Sequence, residues 1–481
     1  MTAISVLRDR RLWAIVVFAV LLRVAVACWP VLHHADELWQ YLEPAHHLVV
    51  GPWVQTWEAR AGIRSWLLPM LFAGPMAIGH AVAPTTMLDI VLPRLLCVAV
   101  SIGAVLGAAG LGFRLSRLHG LVAAFVAAIW YELVYFGPRT MSEPIATACF
   151  LAAAWLLLGE RSARRTMVGG LLLGLCFVVR FQYAPAIWVL AIAAARLRWR
   201  DWMHLAAGGA VALALSAAAD GVMGTMPFAW VIDNITLNLV ANRSADFGVS
   251  PSHGYLSIIA GLWGWATIPI LALAILGARR YPALMIAALV NLGVHSLIPH
   301  KEYRFILLTT AILVVLAALG SADLLQRYRS ARRPALQATG LALGWLILSA
   351  ACGGLGSSAK EWGQNAKLIT AWRIAGAVQH VCGVGLYRVR EPLAASYTLY
   401  RRETPIYQFG DGETADALRS RAFNVAIAPW DRGGDLAGYR LLGCGDTKRR
   451  NYCVYVRPGA CTPIAGDSAH DVNRVLQRLD I

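Results

Sequence analysis

The chain reads as an all-α polytopic membrane protein with a small polar α/β domain at its C-terminal end. Three observations predict this. Of its 481 residues, 58% are hydrophobic and only 15% are charged, well under the share a soluble surface carries. Long apolar runs recur from residue 12 to residue 352, separated by short basic clusters. From about Gly353 the composition turns polar and rich in turn-forming residues.

The apolar runs lie at about 12–32, 65–84, 89–113, 121–137, 144–159, 167–180, 183–195, 203–219, 256–276, 283–299, 305–325 and 335–352. The first follows Arg8, Arg10 and Arg11; it is too long for a signal-peptide core and reads as a retained span. The basic clusters are Arg114/Arg117, Arg161/Arg164/Arg165, Arg196/Arg198/Arg200, Arg279/Arg280 and Arg327/Arg329/Arg332/Arg333. All fall on the cytoplasmic side, as the positive-inside rule demands, only if the run at 65–84 dips into the bilayer without crossing it. Pro69, Gly74, Pro75 and Gly79 suit such a re-entrant or juxtamembrane segment. The result is about eleven spans, an inside N-terminus and an outside C-terminus. Residues 1–352 form the membrane domain and 353–481 an extracytoplasmic domain. In the latter, Val384–Val389, Asn424–Ala428 and Tyr452–Val456 read as strands and Leu368–Val381 as a helix.

The formal net charge is +16, but it is spread between apolar runs rather than gathered into one basic domain. Nucleic acid is therefore not the expected partner. Of the nine cysteines, Cys382, Cys444, Cys453 and Cys461 lie in the polar tail, where an oxidising compartment would pair them. Three pairings are open; Cys444–Cys453 is favoured because a short hairpin closes that loop. No Cys/His metal pattern, phosphate-binding loop or dinucleotide fingerprint is present.

The topology places residues 33–64, the Arg139–Glu143 link, residues 220–255 and His300–Arg304 together on the outer side. The first outer loop carries His34, Asp36, Glu37, Trp39, Gln40, Glu43 and His46, then Trp57, Glu58 and Arg64. Adjacent carboxylates directly after a span are costly unless solvated or used. The loop reads either as an ordinary amphipathic interfacial segment or as one whose carboxylate, Asp36 or Glu37, serves as a general base on a hydroxyl nucleophile at the rim of a water-filled cavity. Arg64 suits a lipid phosphate, because a guanidinium matches phosphate oxygens bidentately, and equally a snorkelling arginine at the headgroups. The loop His300-Lys301-Glu302-Tyr303-Arg304 puts positive charge on the side where the other loops avoid it, which an anionic ligand would explain. Pairing with Glu302 is the competing explanation. The Arg139–Glu143 link and Asp220, Asp233 and Asp246 are weaker signals, as consistent with caps or turns as with catalysis, and Arg180 and Gln182 could line a cavity or simply pair.

His34-Ala-Asp36-Glu37-Leu-Trp39-Gln40-Tyr-Leu-Glu43-Pro-Ala-His46, followed by Thr56-Trp57-Glu58 and Gly62-Ile-Arg64-Ser65, resembles the first lumenal loop of the dolichyl- or polyprenyl-phosphate-mannose-dependent mannosyltransferases. Those enzymes extend GPI anchors and asparagine-linked glycan precursors. His300-Lys-Glu302-Tyr-Arg304-Phe-Ile resembles the family's second signature, and Phe247–Tyr255 a weaker third. Ala35 and Ala59 depart from the family's usual Pro and aromatic residue.

The resemblance implies a GT-C membrane fold and inverting transfer of mannose from a lipid-phosphate donor to a glycan or glycolipid hydroxyl, forming an α-mannoside. Carried onto this chain, Asp36 and Glu37 would be catalytic. Lys301, Arg304 and Arg64 would face the donor phosphate. His34, Trp39, Gln40, Glu43, His46, Trp57, Glu58, His300 and Glu302 would shape the pocket. No bound cofactor is implied, although related GT-C enzymes can use a divalent metal. The tail at 353–481 resembles those of bacterial members, which implies an inner membrane with the C-terminal domain in the periplasm; a eukaryotic member would sit in the endoplasmic reticulum membrane. Alternatives are a GT-C transferase of arabinose or an aminoarabinose-like sugar, and a transporter or flippase of lipid-linked saccharide. The gathering of chemistry on one side and the absence of an internal repeat speak against a transporter.

Overall fold

A computed structural model describes residues 9–328, 334–389, 395–445 and 452–480. Arg8, Arg329, Arg332 and Arg333 of the expected basic clusters lie outside the described residues. The chain divides into two compact units. One comprises Met1–Cys28, Ser65–Leu67 and Arg94–Lys360; the other comprises Trp29–Arg64, Leu68–Pro93 and Glu361–Ile481.

The first unit is helical. Helices occupy the expected apolar runs, among them Arg10–Ala27, Ser142–Leu157, Ala163–Val179, Trp199–Val222, Pro282–Ser296 and Leu307–Tyr328. Five helical stretches are long and apolar enough to cross a bilayer: Leu88–Phe113, Trp199–Val222, Gly254–Ala278, Tyr303–Arg327 and Ala335–Gly354. Others, such as Ser142–Leu157, are shorter. The protein is a membrane protein. The stretch Tyr303–Arg327 is hydrophobic all round and almost wholly buried, as the central helix of a bundle must be. It packs tightly on Thr267–Ala278 through paired glycines: a Cβ at Gly277 would strike the Leu316 carbonyl, and one at Gly320 the Leu273 carbonyl. Without water to drive association, such close backbone approach supplies the dispersion contact.

The run expected at 121–137 is broken at Trp130 into Arg117–Ile129 and Tyr131–Phe136. Ser349 repairs the break: its Oγ accepts from the Tyr131 N–H at 2.8 Å and donates to the Ile129 carbonyl at 2.8 Å. Broken backbone inside a bilayer survives only with such partners.

The second unit holds the run at Leu67–Val82 from Leu68 onward, which is a single helix with Pro75 inside it. Its other part is a five-stranded mixed sheet. β1 (Val384–Tyr387), β2 (Ile406–Phe409), β3 (Val425–Pro429), β4 (Arg440–Cys444) and β5 (Tyr452–Val456) lie in the order β2-β1-β3-β5-β4. β1 is parallel to β2 and β3, pairing Val384 with Ile406 and with Val425. β3–β5 and β4–β5 are antiparallel. β1, β3 and β5 match the expected strands. The helix ends at Ala377, short of the expected Val381, and β2 and β4 were not foreseen. Cys444–Cys453 staples β4 to β5, as favoured from the sequence, and Cys382 pairs with Cys461.

The first outer loop belongs to this second unit. Asn365 Nδ2 donates to the Leu32 carbonyl at 2.8 Å and the Gln55 N–H to Asn473 Oδ1 at 2.7 Å. The loop was read as a surface of the membrane domain, and its bonds to the tail had no counterpart in the sequence pattern.

Candidate active site

Helical backbone begins at Ala35 and runs to Val49, with a π-helical stretch at Glu37–Leu42. Wide turns of this kind recur at functional sites because they re-aim side chains that a regular helix would stack. Leu38, Leu42 and Ala45 are fully buried and anchor the segment. Asp36 then stands in the first turn, where the unsatisfied N–H groups favour an ionised carboxylate.

The two adjacent acids part company. The Asp36 side chain is 18% exposed, and its Oδ1 lies 3.2 Å from His34 Nδ1. The Asp36 N–H also faces that nitrogen at 3.3 Å. That nitrogen serves one at a time: without a proton it accepts from the amide, and with one it donates to the carboxylate. Glu37 is fully buried, and its Oε2 accepts from the His33 N–H at 3.0 Å. Of the pair, Asp36 is the one a substrate can reach.

The remaining loop residues tie the segment down. Glu43 is fully buried and accepts from the Val54 N–H at 2.9 Å, from Ser396 Oγ at 2.6 Å and from the Thr398 N–H at 2.8 Å. Trp39 Nε1 donates to the Ala395 carbonyl at 2.9 Å. His46 is buried, with Nδ1 2.9 Å from the Pro52 carbonyl. Burial holds its imidazolium below the ordinary histidine value, although Glu43 nearby pulls the other way. Gln40 Nε2 donates to Glu58, whose Oε1 lies 3.2 Å from Arg64 Nη2. Trp57 is buried beside them. Arg64 is thus held by Glu58, at partial exposure.

In the helical unit, the loop His300–Arg304 forms a second cluster. His300 Nε2 and Glu302 Oε1 are 2.9 Å apart, and Arg304 Nε donates to Glu302 Oε2 at 2.5 Å. Arg304 Nη1 also donates to Glu143 Oε1 at 3.2 Å, and Arg180 Nη1 reaches the same oxygen at 2.9 Å. Glu143 is fully buried, in the first turn of Ser142–Leu157. Both guanidiniums stand 4.9 Å from the Phe305 ring. Arg180, Arg304 and Glu143, all buried, and the partly exposed Glu302 therefore form one chain of charges that holds the loop. Lys301 is different. Among the described residues its ammonium meets backbone carbonyls only, Ile298 at 2.6 Å and Ser250 at 3.3 Å, and stands 5.7 Å from the Tyr255 ring. Partial desolvation lowers it from the usual lysine value.

Glu143 and Arg180 carried only weak sequence signals. Charged residues at the edges of apolar runs were the available clue, and their pairing across 37 positions was not readable. Asp220 is another anchor: it accepts from Ser65 Oγ and the Trp66 N–H, each at 2.9 Å, and from Trp230 Nε1 at 3.1 Å. Among the described residues, no three His, Cys, Asp or Glu side chains come together as a metal-holding group.

A model of the Alg9-like mannosyltransferase family matches residues 13–354, a span that includes both clusters. The chain belongs to that family. GPI alpha-1,2-mannosyltransferase 3 of Homo sapiens is 26% identical over 285 residues, covering 56% of this chain and 50% of the relative. GPI mannosyltransferase 3 of Yarrowia lipolytica is 29% identical over 304 residues, covering 59% and 57%. The chain spans about half the length of the curated relatives it matches. In fold, it is similar to ArnT from Cupriavidus metallidurans bound to undecaprenyl phosphate, with a TM-score of 0.60 at 13% identity, over 94% of this chain and 99% of that one. The fold of this Alg9-like chain is thus the GT-C fold.

Proposed function

We propose that this protein is an inverting glycosyltransferase that moves mannose from a polyprenyl-phosphate donor to a hydroxyl of a glycan or glycolipid, forming an α-mannoside. The observation that carries the reading is the family match across both signature loops. The solved neighbour, titled as bound to undecaprenyl phosphate, supports a lipid-phosphate donor.

The chemistry follows from the two clusters. The acceptor hydroxyl attacks the anomeric carbon as the bond to the donor phosphate breaks, so the sugar inverts. Asp36, the accessible acid of the pair, takes the hydroxyl proton as the new bond forms, and His34 lies beside its carboxylate. Charge grows on the leaving phosphate, where Lys301 stabilises it. Arg304, buried and shared between Glu302 and Glu143, holds the loop that presents Lys301. Arg64, held by Glu58, is the further cation that the family resemblance assigns to a donor phosphate. Glu37, Glu43 and His46 keep the Asp36 segment in place.

The reading places the acid and lysine loops and the sheet on the non-cytoplasmic side. The tail disulfides fit an oxidising space such as a bacterial periplasm. Donor profiling tests the substrate. Purified protein in lipid is offered polyprenyl-phosphate mannose, arabinose and aminoarabinose with a membrane-lipid acceptor pool. Transfer of mannose at least tenfold faster than the others is expected. Preference for a pentose donor would reassign the sugar.

A further inference from the structure

At the carboxyl ends of β1 and β3, the sheet of the second unit gathers polar side chains that the transfer chemistry does not use. β2 and β3 flank β1 on opposite sides, both parallel to it. The connections leaving β1 and β3 therefore run apart, and open α/β sheets bind ligands where such connections separate beyond the carboxyl ends of their strands.

Side chains converge there from three loops. Arg388 follows β1 with a positive φ of 52°. Its Nη2 donates to Thr414 Oγ1 at 3.1 Å, the Thr414 and Tyr387 hydroxyls are 2.8 Å apart, and Tyr387 Oη donates to Asp435 Oδ2 at 3.1 Å. Asp435 and Asp411 lie 3.6 and 3.7 Å from the guanidinium, beyond hydrogen-bond length, and are 36% and 49% exposed. The Arg388 Nε–H is shielded from solvent and meets no acceptor among the described residues. Trp430, immediately after β3, is 50% exposed, the one exposed Phe, Tyr or Trp among the described residues of 361–480.

The chemistry selects the ligand class. Asp435 supplies a partly exposed carboxylate beside Arg388. Carboxylates with spare lone pairs accept hydroxyl groups, and an exposed indole stacks on the apolar face of a sugar ring. Within the same unit, the sheet's connections are also tied to the acid loop. Residues 395–398, on the connection leaving β1, bind Trp39 and Glu43, in the segment that carries Asp36.

We infer that the carboxyl ends of β1 and β3 hold the uncharged glycan part of the acceptor, with Trp430 as the stacking platform and Asp435 and Arg388 as hydroxyl partners. The inference rests on the transferase reading for its role, but the binding itself does not.

The test is saccharide binding to full-length protein in nanodiscs without donor, by calorimetry and saturation-transfer NMR. The probes are methyl α-mannoside, α-1,2-mannobiose and maltose, offered to wild type, Trp430→Ala, Asp435→Asn and Asp36→Asn. Expected is binding of at least one saccharide by wild type and Asp36→Asn, weakened at least tenfold in Trp430→Ala and Asp435→Asn. In transfer assays, Trp430→Ala should raise the acceptor KM at least tenfold and leave the donor KM unchanged. Trp430 is a surface residue, so its variant keeps the test sound if Asp435→Asn unfolds. No binding of any probe to wild type, or equal binding by Trp430→Ala, overturns the inference. Saccharide binding that persists while no lipid-linked sugar is transferred would instead remove the transferase reading and leave the binding inference standing.

Discussion

Glu143→Gln isolates the grip on the lysine loop. In the native chain, one buried oxygen accepts from Arg180 at 2.9 Å and from Arg304 at 3.2 Å. Each charge-assisted bond is worth about 1.5–3 kcal/mol. Removing one partner of a buried ion pair costs about 3–5 kcal/mol, because the charges left behind cannot be solvated. The amide keeps the shape and removes the charge, so two guanidiniums remain against the single carboxylate of Glu302. Arg304 loses half of its support, and the loop that presents Lys301 loosens. If about 2.7 kcal/mol of that loss reaches the transition state, kcat/KM for the lipid donor falls about a hundredfold. The assay is donor-dependent transfer in nanodiscs at saturating acceptor, beside thermal unfolding of the same samples. Wild-type kcat/KM for the donor, in a variant of wild-type stability, would refute the idea that this chain of charges positions the loop.

The other expectations test separate parts. Lys301→Ala should raise the donor KM at least tenfold; in the native protein, donor kcat/KM should fall with rising pH through a lysine pKa below 10.5, a limb that Lys301→Arg removes. His46 is buried with its imidazolium disfavoured, so the unfolded chain binds a proton near pH 6.5 while the folded one does not. Its contribution to stability is therefore fully present above that pH and lost as pH falls toward the folded pKa, by up to about 1.4 kcal/mol per pH unit, and His46→Gln should flatten the slope in unfolding measured from pH 7 to pH 5. Cys382–Cys461 spans 79 residues and Cys444–Cys453 spans 9, so serine replacement of the first pair should destabilise the sheet more, by about 4–5 against about 3 kcal/mol on the chain-entropy scale, read by denaturant unfolding.

The membrane part was legible because its signals are one-dimensional. A helix in lipid satisfies its own backbone, so apolar runs and the basic loops between them map directly onto elements. Two apolar stretches proved interrupted, at Trp130 and at Trp263, where helices stop and restart. The repair at Trp130 comes from Ser349, more than two hundred positions away, which no local pattern announces. β2 has only four residues and β4 is an exposed edge strand, so neither shows an alternation long enough to read.

The loop chemistry was legible as residue types but not as roles. Adjacent acids at 36 and 37 look equivalent in sequence; burial separates them, leaving Asp36 accessible and Glu37 enclosed. Lys301 and Arg304 look like a matched pair of cations. The structure gives Arg304 two carboxylates and Lys301 only carbonyls. Glu43 looks like another pocket acid, yet it is saturated by Val54, Ser396 and Thr398. Each distinction depends on partners distant in the chain.

The central claim is that Asp36 serves as the base for transfer from a lipid-phosphate donor. Its most direct test is transfer of labelled mannose from polyprenyl-phosphate mannose by the purified protein in lipid, beside Asp36→Asn. The account predicts an α-linked product with the native protein, and for the variant a turnover reduced at least a hundredfold with donor affinity within about twofold. Near-native turnover by a folded Asp36→Asn protein would contradict it.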